Sequence, residues 1–232
     1  MTTERRYAEL HAHSAFTFLD GTDEPARMVE EAVRLGLDAL AILDVDGMFS
    51  TVQTTMAARE AGLPIVYGAE LTLAPDALRG IVPGSSAPGW GLASGADEPG
   101  IRLPILAASP SGYANLVGAM SKRALSAPGE RNPRYSLVDL SEAGGDLIVL
   151  TGGRRGPLIR ALRAGGTASA RRVLNGLVDT FGRDHVLVEW QASRGDEDEV
   201  ADTLADLART SGTRLVATTG ARMSSPSQQA LG

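Results

Sequence analysis

Short apolar runs alternate along this chain with stretches whose apolar residues recur every three or four positions. Runs at Tyr7–Leu10, Ala39–Leu43, Pro64–Tyr67, Leu103–Ala107, Asp146–Leu150, Val186–Glu189 and Leu215–Thr218 predict seven strands. Most are too apolar to be half exposed, as expected for parallel strands covered by helices. Between them the period turns helical. Thr22-Asp23-Glu24-Pro25 is a helix start signal, Met28, Val29, Ala32, Val33 and Leu35 supply an apolar face, and Gly36 is the stop. A second helix is predicted over Thr51–Ala61, ended by Gly62. Three more follow, on Tyr113, Leu116, Val117, Met120 and Ala124, then on Ala170 to Phe181, then on Val200, Leu204, Leu207 and Ala208.

Strand followed by helix, repeated about seven times, predicts an α/β protein. Periodicity alone does not separate a barrel from an open sheet. A closed or distorted barrel is the expectation, because nothing marks a break between two halves, and residues 1–232 read as one domain. Two stretches interrupt the rhythm. Ala74–Gly100, rich in Gly, Pro, Ser and Ala, reads as a long surface excursion, and Pro128–Pro133 as a shorter connector. The last residues, Ser224 to Gly232, look like a helix start cut short, which suggests a fragment of a longer chain.

Composition narrows the chemistry. With no cysteine among 232 residues, disulfides, zinc–thiolate sites and thiol nucleophiles are excluded. No apolar run approaches membrane-spanning length, and the first residues, Met1 to Arg6, do not read as a secretory signal, so cytoplasm is the expected compartment. The net charge of −6 is opposite in sign to that of a protein living by its grip on phosphate backbones. DNA contact would have to come from patches such as Arg154-Arg155 or Arg171-Arg172.

In parallel α/β proteins the working residues sit just past the carboxyl ends of the strands. Those positions hold His11-Ala12-His13-Ser14, Asp44-Val45-Asp46-Gly47, Gly68-Ala69-Glu70 and the run Thr151 to Gly156. Two histidines one residue apart on a strand point to the same face and can share a cation, although such a pair can also be a plain polar strand terminus. A carboxylate such as Glu70 strengthens the metal reading, since two histidines and a glutamate make a catalytic-zinc set. Asp44 and Asp46 are either ligands or turn residues ahead of Gly47. Gly153-Arg154-Arg155-Gly156 is a weak phosphate-cradle pattern that also fits a turn with solvated arginines, and His185 reads as a surface residue. Neither Trp90 nor Trp190 has the aromatic neighbours of a base-stacking platform. Walker A, G-x-S-x-G and G-x-G-x-x-G patterns are absent.

Taken in order, Glu9-Leu10-His11-Ala12-His13-Ser14, Phe18-Leu19-Asp20-Gly21, Asp44-Val45-Asp46-Gly47 and Gly68-Ala69-Glu70-Leu71 resemble the PHP (polymerase and histidinol phosphatase) domain. Gly112 to Leu116, Leu150 to Gly156 and Phe181 to Asp184 extend the likeness. It is nearest to the N-terminal PHP domain of bacterial C-family DNA polymerases, the DNA polymerase III alpha type. The segment around Ala161–Glu189 most resembles the error-prone, damage-tolerant branch. The resemblance implies a distorted (β/α)7 barrel, in agreement with the strand count, and a trinuclear metal centre in active members. Of the ligand positions, His11, His13, Asp20 and Glu70 are kept. Val45, Arg102, Gly153, Gly220 and Arg222 stand where the others would be, and Ser193 replaces a further family histidine.

What the resemblance then implies is a non-catalytic scaffold within a polymerase that serves DNA synthesis and damage-tolerant repair. Its implied partners are the rest of the polymerase chain, accessory replication or mutagenesis proteins, and DNA through the parent protein. At most one weak divalent metal, zinc or manganese, is expected on the remaining ligands, with Val45 closing the side where a histidine would reach in. Asp20 and Glu70 are expected to pair with Arg102 or Arg222. A working metal-dependent phosphoesterase or 3′–5′ exonuclease is the alternative from another class, and a stand-alone protein-binding adaptor is a third.

Overall fold

The computed structural model describes residues 6–18, 20–74, 76–78, 100–126, 133–191 and 198–224, and among these residues there are seven strands and six α-helices. Most of the excursion, including Trp90, lies outside the described residues, as do Ser193 and the C-terminal Ser225–Gly232. Strand β1 (Ala8–Ala12) pairs in parallel with β2 (Ala39–Ile42), with an irregularity between Glu9 and Ala12. The other five strands form a second sheet in chain order: β3 (Gly68–Thr72), β4 (Arg102–Ala107), β5 (Leu147–Leu150), β6 (Val186–Gln191) and β7 (Arg214–Thr218).

Helix α1 (Pro25–Arg34) begins on its proline and buries Met28, Val29 and Ala32. Helix α2 (Thr51–Ala61) stops where Gly62 takes a left-handed conformation, at φ 71°, which glycine adopts without a Cβ clash. Both cover β1 and β2 through a cluster that includes Ala12, Leu40, Ile42, Ala58 and Leu63. The larger sheet is covered by α3 (Pro110–Ser126), α4 (Leu137–Glu142), α5 (Pro157–Phe181) and α6 (Asp198–Ser211), and their buried Leu116, Leu140, Leu174 and Leu207 belong to the main core. Among the described residues no helix is long and apolar enough to cross a membrane.

Several expectations are corrected. The third strand lies four residues later than expected, at Gly68–Thr72, and so carries Glu70 within it. The apolar Ile65 and Val66 do pair, but with Leu40 of β2 through an isolated bridge made by two backbone bonds, Leu40 N–H to the Pro64 carbonyl and Val66 N–H to the Leu40 carbonyl, ahead of the ladder with β4. Strand β4 runs antiparallel to both β3 and β5, so the sheet is mixed. An antiparallel pair needs no crossover helix, which accounts for the missing helical period between Thr72 and Arg102, residues that face each other across the ladder. Helix α4 was not expected. It is short, and rests on Ser136, whose Oγ accepts the Asp139 N–H at 3.0 Å, and on buried Leu137 and Leu140. Helix α5 starts well before Ala170, and Gly165 and Gly166 interrupt its helical dihedrals.

The strands do not close into one hydrogen-bonded ring among the described residues, so a closed barrel is not what the chain forms there. The two sheets meet instead through single bridges, Leu40 with Ile65 and Val45 with Glu70. At the other edge the His13 N–H donates to the Ala221 carbonyl at 2.8 Å, tying the end of β1 to the chain beyond β7. Ala41, Leu43, Leu106 and Leu150 form one cluster, so strands of both sheets bury apolar side chains in a shared interior.

Candidate metal centre

His11 is the last residue but one of β1 and His13 follows the strand, both buried, with ring centroids 5.0 Å apart. Glu70 reaches them from the middle of β3. Its Oε1 lies 3.3 Å from His11 Nε2 and its Oε2 3.9 Å from His13 Nε2. Among the described residues these three form the one group whose possible ligand atoms all lie within 4.8 Å of one another.

Two residues not singled out in the sequence complete this floor. Glu189, fully buried on β6, takes His11 Nδ1 at 2.7 Å and the Thr218 hydroxyl at 2.6 Å on its Oε1. Gln191, at the end of β6, donates from Nε2 to the same oxygen at 3.3 Å. A Cβ built on Gly153 or on Gly220 would collide with the Gln191 side chain. The Gln191 amide therefore fills the space next to both glycines. A signal was present: Glu189 is a charge set inside the apolar strand Val186-Leu187-Val188.

The electrostatics split the two histidines. Burial works against a charged His11, but the carboxylates of Glu189 and Glu70 outweigh it and hold its pKa up at about 10. Burial of His13, without such a direct partner, pushes it down to about 4. Burial alone would raise Glu70, but the charges of His11, His13 and Arg102 bring it down to about 2.

Asp20 stands outside the ligand group. Its Oδ2 accepts from Arg102 at 2.6 Å and from Arg155 at 2.5 Å, while Arg222 lies 3.3 Å from Oδ1. Burial would raise this carboxyl, yet the Arg102 hydrogen bond and the Arg222 and Arg155 charges hold it below the usual carboxylate range. Arg102 also donates to Glu70 Oε2 at 3.2 Å. The expected pairing is thus present for both Arg102 and Arg222, with Arg155 added. Arg102 opens β4, and because β4 is reversed that opening lies opposite the carboxyl end of β3.

Asp44 and Asp46 are turn residues. Asp44 accepts from the hydroxyls of Ser14 and Thr17 and from the Ser50 N–H, holding the loop after β1. Asp46, at φ 52°, accepts from the Thr72 N–H and hydroxyl. Val45 pairs its backbone with Glu70 and is not among the residues lining the cavity above the histidines. His185 is half-buried rather than on the open surface, its Nδ1 lying 2.8 Å from the Leu147 carbonyl.

Two imidazoles and one carboxylate are a donor set for a single zinc or manganese ion, and the pocket also holds His11 Nε2 and His13 Nδ1 without hydrogen-bond partners. His11 would have to give up its proton, and the Arg102 guanidinium already contacts Glu70. A second ion finds no comparable donor group among the described residues.

Residues 9–193 match the PHP domain family. The chain is 43% identical over 227 residues to the error-prone DNA polymerase of Mycolicibacterium paratuberculosis (strain ATCC BAA-968 / K-10), covering 97% of this chain and 20% of that protein. It is 39% identical over 253 residues to the error-prone DNA polymerase of Nocardia farcinica (strain IFM 10152), covering 96% and 22%. It thus spans about a fifth of the length of the curated relatives it matches. A Bifidobacterium adolescentis crystal structure, described as a candidate metal-dependent phosphoesterase, shares the fold with a TM-score of 0.58 at 18% identity, over 94% of this chain and 88% of that one. A matched segment that carries the paired histidines, Asp20 and Glu70 through to β6 is the bulk of the described chain, and the chain belongs to the PHP domain family.

Proposed function

We propose that this chain is a catalytically inert PHP domain, the scaffold of an error-prone DNA polymerase of the polymerase III alpha type that serves DNA synthesis and damage-tolerant repair. In this reading it works in the cytoplasm, its main partner is the polymerase chain itself, accessory replication or mutagenesis proteins dock on the assembly, and DNA is met through the parent protein. In this reading the fold is a distorted (β/α)7 barrel, supported by the single bridges that join the two sheets. The observation that carries the reading is the occupation of Asp20 by three guanidiniums, one of which also holds Glu70. Hydrolysis by two or more metals needs cations a few ångströms apart, each held by several side chains. Here fixed positive charge stands against the carboxylates such cations would need.

The rival reading, a metal-dependent phosphoesterase or 3′–5′ exonuclease, is favoured by the proximity of His11, His13 and Glu70. One divalent ion on these three would supply Lewis acidity toward a phosphoryl oxygen. In that state Glu189 would orient His11 through Nδ1, as a carboxylate does for a ligating imidazole. The test is turnover of a 3′-recessed primer and of a simple phosphomonoester with zinc, manganese or magnesium. The inert reading expects no turnover that His13→Ala abolishes. Turnover that depends on His13 refutes it.

A further inference from the structure

A second concavity, of about 620 Å³, lies between α2 and α3. Thr51 and Thr55 of α2 line one side and Tyr113 of α3 the other, with Tyr67 between them. The two tyrosine rings meet edge-on, 5.6 Å apart. The Thr55 hydroxyl donates to the Thr51 carbonyl at 2.6 Å and lies 3.1 Å from the Tyr67 hydroxyl, so the polar groups of this wall answer one another. None of the described residues lining the groove is charged. The segments that build it, residues 47–58, 61–69 and 103–121, contain no Asp, Glu, Lys or Arg, although such residues make up 22% of the chain.

Burial of β3 and β4 accounts for part of this depletion, but it continues onto the surface. Thr54 and Ala58 turn α2 toward the core, each 2% exposed, and a period of 3.6 residues puts Val52 and Met56 on the opposite side. Both are 69% exposed, and Phe49, one turn earlier, is 61% exposed. A helix that is apolar on both sides is one covered on both sides. On α3 the exposed Ala114, Gly118 and Ser121 recur on one face. A Cβ built on Gly118 meets nothing within 4 Å among the described residues, so another backbone can come close there. Charge returns at the rim, with Arg59 and Glu60 in the last turn of α2, Lys122 on α3, and Asp146, which accepts from the Ser109 hydroxyl. An uncharged centre with aromatic and methionine side chains inside a charged rim is the pattern of a protein interface.

We infer that this face seats a helix of the polymerase part of the parent chain, laid along the groove with its apolar side against Val52, Met56 and Tyr113. The inference rests on the reading of the chain as part of a longer polymerase, and not on the state of the histidine centre. The chain spans about a fifth of the length of the relatives it matches, so most of each relative lies outside the matched segment. A helix tethered to the same chain meets the face at an effective concentration on the order of millimolar, which favours it over a second free copy. A face without fixed charge offers nothing to a phosphate backbone, whereas an amphipathic helix in a groove is held by apolar anchors three and four residues apart.

Hydrogen exchange in the 232-residue chain and in the full-length parent polymerase tests this. Amides of α2 and α3 are expected to exchange at least about tenfold more slowly in the parent. Two variants attack the face independently. Val52→Glu/Met56→Glu places charge on its apolar stripe. Gly118→Gln fills space that the chain itself leaves open, while raising helix propensity. Both should leave the melting temperature of the 232-residue chain unlowered, and both should erase the added protection in the parent. Equal exchange in the two chains, or protection that survives Gly118→Gln and the double variant, overturns the docking face. Dimerisation of the 232-residue chain through Val52 and Met56, with no added protection in the parent, overturns it in favour of a second copy. A parent that extends no primer refutes the polymerase reading and the docking face with it, whereas one that extends primers without added protection refutes the face alone.

Discussion

Asp20 is the residue on which the site turns, because one carboxylate pairs with three guanidiniums of unequal burial. The Arg102 side chain is 15% exposed and contacts both Asp20 and Glu70, whereas that of Arg222 is 47% exposed and 3.3 Å away. Removing one partner of a buried pair strands a charge away from water and costs about 3–5 kcal/mol, while an exposed pair is worth under about 1 kcal/mol. Arg102→Ala is therefore expected to lower unfolding stability by about 3 kcal/mol, and Arg222→Ala by less than about 1 kcal/mol. Urea denaturation of the two variants measures the difference. Equal small effects would show that water, not Asp20 and Glu70, satisfies the Arg102 guanidinium.

Strand β1 carries His11 and leads into His13, yet among the described residues it pairs with only one strand, β2. Its other edge is held by the backbone bond from His13 to Ala221 and by a side chain. Buried Glu9 accepts the His11 N–H on Oε1 at 2.8 Å, and on Oε2 the Tyr7 hydroxyl at 2.9 Å and the N–H and hydroxyl of Thr219. One carboxylate thus ties β1 to the chain leaving β7, where a ladder would run in a closed ring. Glu9→Leu is expected to cost about 3 kcal/mol or more, since it leaves several buried donors without an acceptor. Amide exchange should then speed up together in Tyr7–His13 and in Thr219–Arg222. Faster exchange in β1 alone would mean that Glu9 supports its own strand and not the seam. The same sheet shows what direction does to function. Reversal of β4 brings its first residue, Arg102, to the end of the sheet where β3 delivers its last.

At the scale of the whole molecule the buried charges set how stability depends on pH. The folded pKa of His13 lies below its ordinary 6.5, at about 4. The unfolded chain therefore takes up this proton first, and stability present above 6.5 is lost as pH falls from 6.5 toward 4. The folded pKa of His11 lies above 6.5, at about 10, so its contribution is full below 6.5 and is lost as pH rises toward 10. Glu70, depressed to about 2, adds a further loss below about 4.5. Melting temperatures of chelator-treated protein should peak near neutrality and fall on both sides. His13→Gln should flatten the limb between 6.5 and 4, whose full height is at most about 3 kcal/mol. An acid limb unchanged by that substitution would place the proton uptake at another group.

How much of this was legible in the sequence differs from part to part. Alternating periods set the α/β class, and the positions of β2, β4, β5, β6 and β7 follow from apolar runs, because a buried strand must be apolar whatever its neighbours are. Strand direction was not legible: a buried antiparallel strand presents the same run as a parallel one, and only pairing partners distinguish β4. The His-x-His spacing put His11 and His13 on one face, and Glu70 joined them by chemistry. Glu189 and Gln191 were not found, and Arg155 was read as a DNA-contact or phosphate-cradle residue and not as a partner of Asp20, since each comes from a segment far away in the chain and no local pattern marks where such segments meet. The sequence by itself determined the residue types available for a metal or an anion, and the faces on which they stand. Tertiary structure decided that Asp20 answers three arginines instead of joining His11, His13 and Glu70. Long-range Coulomb interactions and burial choose among partners only after the strands have brought them within a few ångströms.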